Sequence, residues 1–122
     1  MSVRPSAQPI HTSTQTVTKR ELAACAELTG EASDRPFGIA FILALRTVIG
    51  SGALPDGAIM LGHRATWNEA PRPGTFRTEM SIAAADAPRT RFQRVVIAYR
   101  TVDEADHKLV IEQAQEVLWP TG

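Results

Sequence analysis

A carboxylate and a histidine are the side chains best suited to acid–base chemistry on a water molecule. Glu31 follows Gly30 directly and opens a five-residue stretch, 31–35, that ends at Pro36. A carboxylate in such a loop can act as a general base or orient a water, and a second group must then move the other proton. His63, in an otherwise apolar strand-like segment, is the candidate for that second group.

Each candidate also has a purely structural interpretation. Glu31 would then be a solvated loop carboxylate, and His63 a hydrogen-bonded core residue. Asp34, just before Pro36, would cap the following helix by accepting backbone N–H groups near the positive end of its dipole. The residues alone leave both interpretations open.

The basic residues are almost all arginine. Eleven of the 13 are Arg, and the guanidinium group can fork onto phosphates or carboxylates. One or two of those in the sheet region could bind a phosphate-bearing ligand, although codon bias, with eighteen Ala alongside, also explains the excess. These arginines are Arg72, Arg77, Arg89, Arg91, Arg94 and Arg100.

Composition excludes several function classes. The formal net charge is zero, so neither nucleic acid nor a membrane surface is indicated as a partner. Cys25 is the single cysteine and the three histidines are dispersed, so we expect no disulfide, no metal site and no cofactor. The longest uncharged apolar stretch, 37–45, is far shorter than the ~20 residues that span a bilayer. We expect a soluble protein of the reducing cytoplasm.

Two helices follow a first strand over residues 10–17. Thr18 and Glu21 have the spacing of a capping box, which predicts a short helix that ends at Gly30. Pro36 then opens a second helix, residues 37 to about 49, that is apolar on nearly every side. Such a helix has to be surrounded by other structure.

The remaining residues predict four more strands, over 58–67, 76–82, 91–101 and 108–119, with a Pro-rich turn at 68–74. In the first of these, Ile59, Leu61, His63 and two further residues alternate onto one predicted face. The order predicts an α+β architecture in which a five-stranded antiparallel sheet wraps around the central apolar helix. We expect residues 1–9 to be a flexible N-terminal segment and 10–122 to be a single domain.

Several short runs, in the same order, resemble the MaoC-like hydratase and dehydratase branch of the hotdog-fold superfamily. They cover about residues 15–120. The runs are Val17-Thr18 with Leu22-Ala23, Glu27-Leu28-Thr29-Gly30, Pro36-Phe37-Gly38-Ile39-Ala40 with Leu43-Ala44-Leu45, Arg72-Pro73-Gly74-Thr75, and Val117-Leu118-Trp119-Pro120.

The resemblance implies a hotdog fold that binds an acyl thioester, either acyl-CoA or an acyl group on a carrier protein. Family hydratases carry a catalytic Asp and His after the Leu-Thr, in a segment much longer than 31–35. Here Glu31 takes the position of the Asp and the His is missing. The resemblance therefore implies a catalytically degenerate protein, or one that uses a relocated carboxylate, Glu31, with His63.

The alternatives are a non-catalytic subunit of an active MaoC-like hydratase and a hotdog thioesterase. The substrate-binding residues expected from the resemblance are Asp34, Phe37, Arg72 and Arg91. The family pattern and the hazard of an open sheet edge predict a homodimer or higher oligomer, or a pair with a MaoC-like partner subunit.

Overall fold

The described residues form two helices and five strands in a computed structural model that covers 3–32, 35–89 and 91–121. In chain order the elements are β1 (His11–Val17), α1 (Lys19–Thr29), α2 (Ile39–Ser51), β2 (Ile59–Trp67), β3 (Gly74–Ala85), β4 (Phe92–Asp103) and β5 (Leu109–Pro120). All seven were predicted from the sequence, and their bounds differ from the prediction by a few residues.

The strands form one antiparallel sheet in the order β1-β3-β4-β5-β2, so β1 and β2 are its two edges. The three inner strands each alternate between buried and more exposed residues, which places one face of the sheet on the core. β2 is different, because most of its residues are exposed.

Helix α2 lies on the core face of the sheet, as its apolar sequence predicts. Ile39, Leu43 and Val48 are buried on its inner side, where they join apolar residues from the strands. Its outer side is also apolar, since Phe41 and Ile49 remain exposed. One chain therefore covers only part of this helix.

Helix α1 forms for local reasons that the sequence shows. The Thr18 hydroxyl accepts the Glu21 backbone N–H at 3.1 Å, and the Glu21 carboxylate accepts the Thr18 N–H at 3.1 Å, which completes the predicted capping box. Gly30 ends the helix with φ of 74°, a left-handed conformation that glycine adopts without a steric cost. Cys25 is buried on the inner side of this helix.

The predicted face of β2 is wrong at its start. Met60 pairs with Val117 and Gly62 pairs with Glu116, so Leu61 is the extra residue of a β-bulge. Ile59 pairs with Leu118, three residues from the Gln115 that pairs with His63, and so lies on the opposite face from His63. The alternation over the whole strand is interrupted because the bulge shifts the pattern by one residue.

Residues 3–10 run beside β3 and β4. The Ser6 backbone N–H donates to the Ile82 carbonyl at 3.0 Å, and the Ser6 hydroxyl accepts the Ile82 N–H at 2.9 Å. The Gln93 carboxamide exchanges two hydrogen bonds of 2.7 Å with the backbone of Val3. The flexibility expected of residues 1–9 stays a prediction. No helix within the described ranges is both long enough and apolar enough to cross a membrane.

Candidate functional site

An open groove of about 560 Å³ lies between the start of α2 and the second half of β2. Its lining is apolar except for one imidazole and consists of Phe37, Gly38, Ala40, Phe41, His63, Ala65 and Trp67. The rings of Phe37 and Trp67 meet at one end with centroids 5.7 Å apart. A concave apolar surface with few polar groups is the usual form of a small-molecule site.

His63 is the polar side chain of this groove. Its ring packs edge-to-face against the Phe41 ring, with centroids 5.0 Å apart. Its Nε2 lies 2.7 Å from the Oε1 of Gln113, whereas its Nδ1 is buried and has no hydrogen-bond partner among the residues that the structure describes. Each ring nitrogen of a neutral histidine either donates or accepts a hydrogen bond, depending on the tautomer.

Glu31 holds the turn that leads into α2. Its Oε1 accepts the Thr29 hydroxyl at 2.7 Å and the Gly38 backbone N–H at 2.9 Å. The Thr29 hydroxyl and the Gly38 amide hold the pKa of Glu31 below its ordinary value. The same carboxylate and burial raise the pKa of the Cys25 thiol, burial being the larger cause, so this thiol is a poor nucleophile.

Gly38 links Glu31 to the groove. Its amide binds Glu31, and Gly38 itself lines the groove with Phe37 and His63. A Cβ at this position would lie 3.0 Å from Glu31 Oε1 and 3.0 Å from the Thr29 methyl carbon. A larger residue here would push the Glu31 and Thr29 side chains away by a few tenths of an ångström, so glycine favours this close approach. Asp34, the expected cap of α2 and a predicted substrate-binding residue, lies outside the described residues.

Arg72 lies at the same end of the sheet as Trp67, in the turn before β3. Its guanidinium donates to Asp103 Oδ2 from Nε at 3.1 Å and from Nη2 at 2.9 Å, and it approaches Asp106 at 3.5 Å. The Ala105 backbone N–H and this guanidinium hold the pKa of Asp103 below its ordinary value. Arg72 is thus paired with carboxylates of its own chain.

Arg91 lies at the opposite end of the sheet from the groove. It precedes Phe92, which pairs with Pro120, whereas Trp67 pairs with Ile111. Arg91 lines a separate open cleft of about 540 Å³ together with Arg89 and Arg94. Within one chain, therefore, the predicted site residues do not all lie in one place. Phe37, His63 and, through Gly38, Glu31 meet at the groove, while Arg91 does not.

Gln113 is the residue that sequence reasoning missed. Its signal was present: Gln113 and Gln115 occupy alternate positions between Ile111 and Val117, on the face of β5 that is otherwise apolar. A buried amide at such positions calls for partners. Among the described residues, no group of three or more His, Cys, Asp or Glu side chains is placed to hold a metal ion.

Comparison with solved structures identifies the fold. The chain is similar to a subunit of the C-terminally truncated 3R-hydroxyacyl-ACP dehydratase complex HadBC from Mycobacterium tuberculosis, with a TM-score of 0.78, 14% identity and coverage of 97% of this chain and 98% of that chain. It is similar to a MaoC-like dehydratase from Rhodospirillum rubrum, with a TM-score of 0.69, 19% identity and coverage of 100% and 94%.

A third similar structure is the R-hydratase PhaJ1 from Pseudomonas aeruginosa, with a TM-score of 0.64, 18% identity and coverage of 100% and 90%. No protein-family model matches the chain, and neither does any curated protein sequence. At these identities the likeness establishes the fold: the chain is an α+β hotdog protein whose structural neighbours include MaoC-like dehydratases. The predicted fold is confirmed.

Proposed function

We propose that this chain binds an acyl thioester, acyl-CoA or an acyl group on a carrier protein, in the groove between α2 and β2. The observation that carries the proposal is the groove itself, a surface of three aromatic rings and one imidazole on a hotdog scaffold. The aromatic rings supply apolar area for an acyl chain, and His63 supplies a hydrogen-bonding group for the thioester head. The dehydratase and hydratase neighbours support this ligand class.

Binding is better supported than turnover. The stretch 31–35 contains no histidine, and one carboxylate oxygen of Glu31 already accepts hydrogen bonds from the turn before α2. A carboxylate whose pKa is lowered is a weaker base than an ordinary one. We therefore infer a catalytically degenerate subunit. Any remaining hydratase or thioesterase activity would depend on Glu31 and His63.

The β2 edge is the proposed contact with a second subunit. Ile59, Met60 and Leu61 are 49%, 43% and 51% exposed, and Phe41 of α2 lies beside the same edge. Exposed apolar residues on an unpaired edge strand favour pairing with another chain. The second subunit is a second copy of this chain or a MaoC-like partner, and the HadBC neighbour, itself a complex, supports the latter form.

Pairing of two copies along the β2 edge would also bring together Arg72 and Arg91, the two arginines that were predicted to bind substrate. A two-fold axis beside β2 reverses the second copy, so its Arg91 end lies toward the Trp67 end of the first copy. The proposed phosphate contacts of a CoA ligand then come from Arg72 of one copy and Arg91 of the other. Charge-assisted hydrogen bonds of this kind are stronger than neutral ones.

Thermal shift and calorimetric titration with acyl-CoA esters of increasing chain length test the binding proposal. A ligand at 100 times its Kd stabilises the native state by about 2.7 kcal/mol, whereas free CoA should have a smaller effect. Ala65→Phe fills the groove and should abolish binding of every ester. Ala84→Phe, on an exposed position of β3 outside the groove, is the matched control. Unchanged binding by Ala65→Phe would contradict the assigned groove.

Turnover is tested on the same preparation, with hydration of crotonyl-CoA and hydrolysis of acyl-CoA. We expect neither reaction from the chain alone. If turnover is detected and Glu31→Gln or His63→Asn lowers it, the proposal of a catalytically degenerate subunit is wrong. The chain is then an enzyme that uses a relocated carboxylate. Hydrolysis without hydration would identify a thioesterase.

The oligomer is tested by light scattering after size-exclusion chromatography. We expect a dimer that Leu61→Arg dissociates, whereas Leu28→Arg, on the exposed face of α1, leaves it intact. A monomeric wild type would overturn the homodimer. Co-expression with a MaoC-like subunit then tests the heteromeric form, which a stable one-to-one complex would support.

A further inference from the structure

The cleft of about 540 Å³ beside the turn between β3 and β4 lies on the face of the sheet that α2 does not cover. Arg94 of β4 and Leu118 of β5 line this cleft and form a cross-strand pair. The next residues along the two strands, Val95 and Val117, are buried in the core, so Arg94 and Leu118 point to the outer face. The groove of the proposed function lies on the core face, beside α2. The cleft is therefore a second concave surface of the same chain.

The backbone that carries Arg89 and Arg91 is held in place by hydrogen bonds. The Arg89 N–H donates to the Phe92 carbonyl at 2.9 Å. The Thr121 N–H donates to the Arg91 carbonyl at 2.9 Å, and the Thr121 hydroxyl donates to the Arg89 carbonyl at 3.2 Å. Because these contacts already order the backbone, binding of a ligand in the cleft costs less conformational entropy.

The guanidinium groups of Arg89 and Arg91 are available to a ligand. Both side chains are exposed, and among the described residues neither guanidinium has a carboxylate or a hydrogen-bond partner. Arg94, in contrast, is paired with Glu116 and approaches Asp86 at 3.9 Å. Asp86 is the carboxylate in the cleft lining, and its charge opposes an anion there.

We propose that this cleft binds a phosphate monoester that has an apolar part, such as a ring. A phosphate group of this kind carries a charge of about −1.5 to −2 at neutral pH and has three strong acceptor oxygens. It can therefore accept forked hydrogen bonds from two guanidinium groups, whereas the two oxygens of a carboxylate match a single fork. Phe92 and Leu118 supply the apolar surface for the rest of the ligand.

This inference does not rest on the proposed function, because every residue of the cleft belongs to one chain. In the proposed dimer, however, Arg91 is also a contact of the CoA phosphates. A phosphate ester in the cleft should then weaken acyl-CoA binding by competing for this one guanidinium, without entering the groove.

Titration of ¹⁵N-labelled protein, followed by amide chemical shifts, tests the site with three probes. Phenyl phosphate carries the anionic group and a ring, inorganic phosphate only the anionic group, and phenol only the ring. We expect phenyl phosphate to shift the amides of residues 86–94 and to bind about fivefold to tenfold more tightly than inorganic phosphate, because part of the ring is buried. Shifts confined to the groove around Ala65, or phenol or inorganic phosphate binding as tightly as phenyl phosphate, would overturn the proposal.

Substitutions in the cleft test which charges bind the phosphate. Arg89→Met and Arg91→Met should each weaken phenyl phosphate binding about tenfold, because a charge-assisted hydrogen bond is lost. Asp86→Asn should strengthen it about twofold to fivefold by removing a like charge. Arg20→Met is the matched control, since this arginine is exposed on α1, and it should change nothing. An equal loss in Arg20→Met would reduce the effect to net charge and overturn the site.

Two variants separate the cleft from the acyl-thioester site. Leu61→Arg, which should produce monomer, should bind phenyl phosphate as tightly as the wild type. Arg89→Met should keep the wild-type affinity for acyl-CoA. If Arg89→Met weakens acyl-CoA binding as much as phenyl phosphate binding, the cleft is part of the CoA site and the inference of a separate site is wrong. Failure of every acyl-CoA ester to bind would remove the proposed function and leave the phenyl phosphate result standing.

Discussion

Replacement of Glu31 by alanine should destabilise the fold because this carboxylate caps the turn into α2. The Gly38 N–H, which donates to Glu31 Oε1 at 2.9 Å, loses its partner, whereas the Thr29 hydroxyl keeps the Cys25 carbonyl at 2.9 Å. Loss of a cap costs about 1 kcal/mol, and loss of a carboxylate at a helix N-terminus adds about 0.3–1 kcal/mol. We expect Glu31→Ala to lose about 1–2 kcal/mol.

The assay is thermal and urea unfolding at one fixed protein concentration. For a chain of this length, 1 kcal/mol corresponds to about 4 °C, so Tm should fall by about 4–8 °C. Glu31→Gln keeps the acceptor oxygen and should lose less than half as much. Glu27→Ala is the matched control, because this α1 carboxylate is exposed and should change stability by less than about 0.5 kcal/mol.

Acid provides a second measurement of the same contact. The folded-state pKa of Glu31 is lowered, first by the Thr29 hydroxyl and then by the Gly38 amide. Its contribution is therefore present above the unfolded pKa of about 4.3 and is lost as the pH falls through the folded pKa. The stability difference between wild type and Glu31→Gln should shrink as the pH falls below about 4.3. Equal stability of Glu31→Ala and Glu27→Ala at neutral pH would refute the capping role.

Three further predictions concern stability and are checked by urea unfolding. Arg72→Met should cost about 1–2 kcal/mol, because it leaves the buried Asp103 carboxylate without its cation. Since the pKa of Asp103 is lowered in the folded state, this loss of stability should fade as the pH falls below about 3.9. A stability difference that does not change with pH would argue against the ion pair. Tyr99→Phe removes a fully buried hydroxyl that donates at 2.7 Å to the Gln115 carboxamide and should cost about 1–2 kcal/mol; an unchanged stability would argue against this hydrogen bond. Gly30→Ala should cost about 1 kcal/mol because φ there is 74°, whereas Gly62→Ala, in an ordinary strand conformation with open space, should be nearly neutral.

The elements that depend on local rules were predicted from the sequence. The capping box of Thr18 and Glu21 marks the start of α1, and Gly30 marks its end. These signals can be found in the sequence because a helix cap is formed by residues that are close together in the chain. The face of β2 was predicted wrongly at Ile59. A bulge depends on how two strands that are distant in sequence pair with each other, and the isolated Gly62 beside Leu61 is the one sign of it in the residues of β2.

The candidate site likewise has one residue that the sequence identified and contacts that it could not show. His63 was identified as a candidate acid–base residue because a histidine lies in an otherwise apolar strand. Its partner Gln113 lies fifty residues further along the chain, and only the pairing of β2 with β5 brings the two together. The pairing of Arg72 with Asp103 likewise depends on the turn before β3 and the end of β4, which meet at one end of the sheet.

The distribution of apolar residues on α2 connects ligand binding with assembly. The sequence makes this helix apolar on nearly every side, yet the sheet of one chain covers only the side of Leu43 and Val48. The uncovered side, with Phe41, forms one wall of the groove, and the unpaired β2 edge forms the other. A second subunit on that edge would cover the exposed apolar residues and close the groove with the same contact. Conditions that dissociate the assembly should therefore weaken acyl-thioester binding in parallel. Leu61→Arg, which lies outside the groove lining, should lose affinity for the ester only to the extent that it produces monomer.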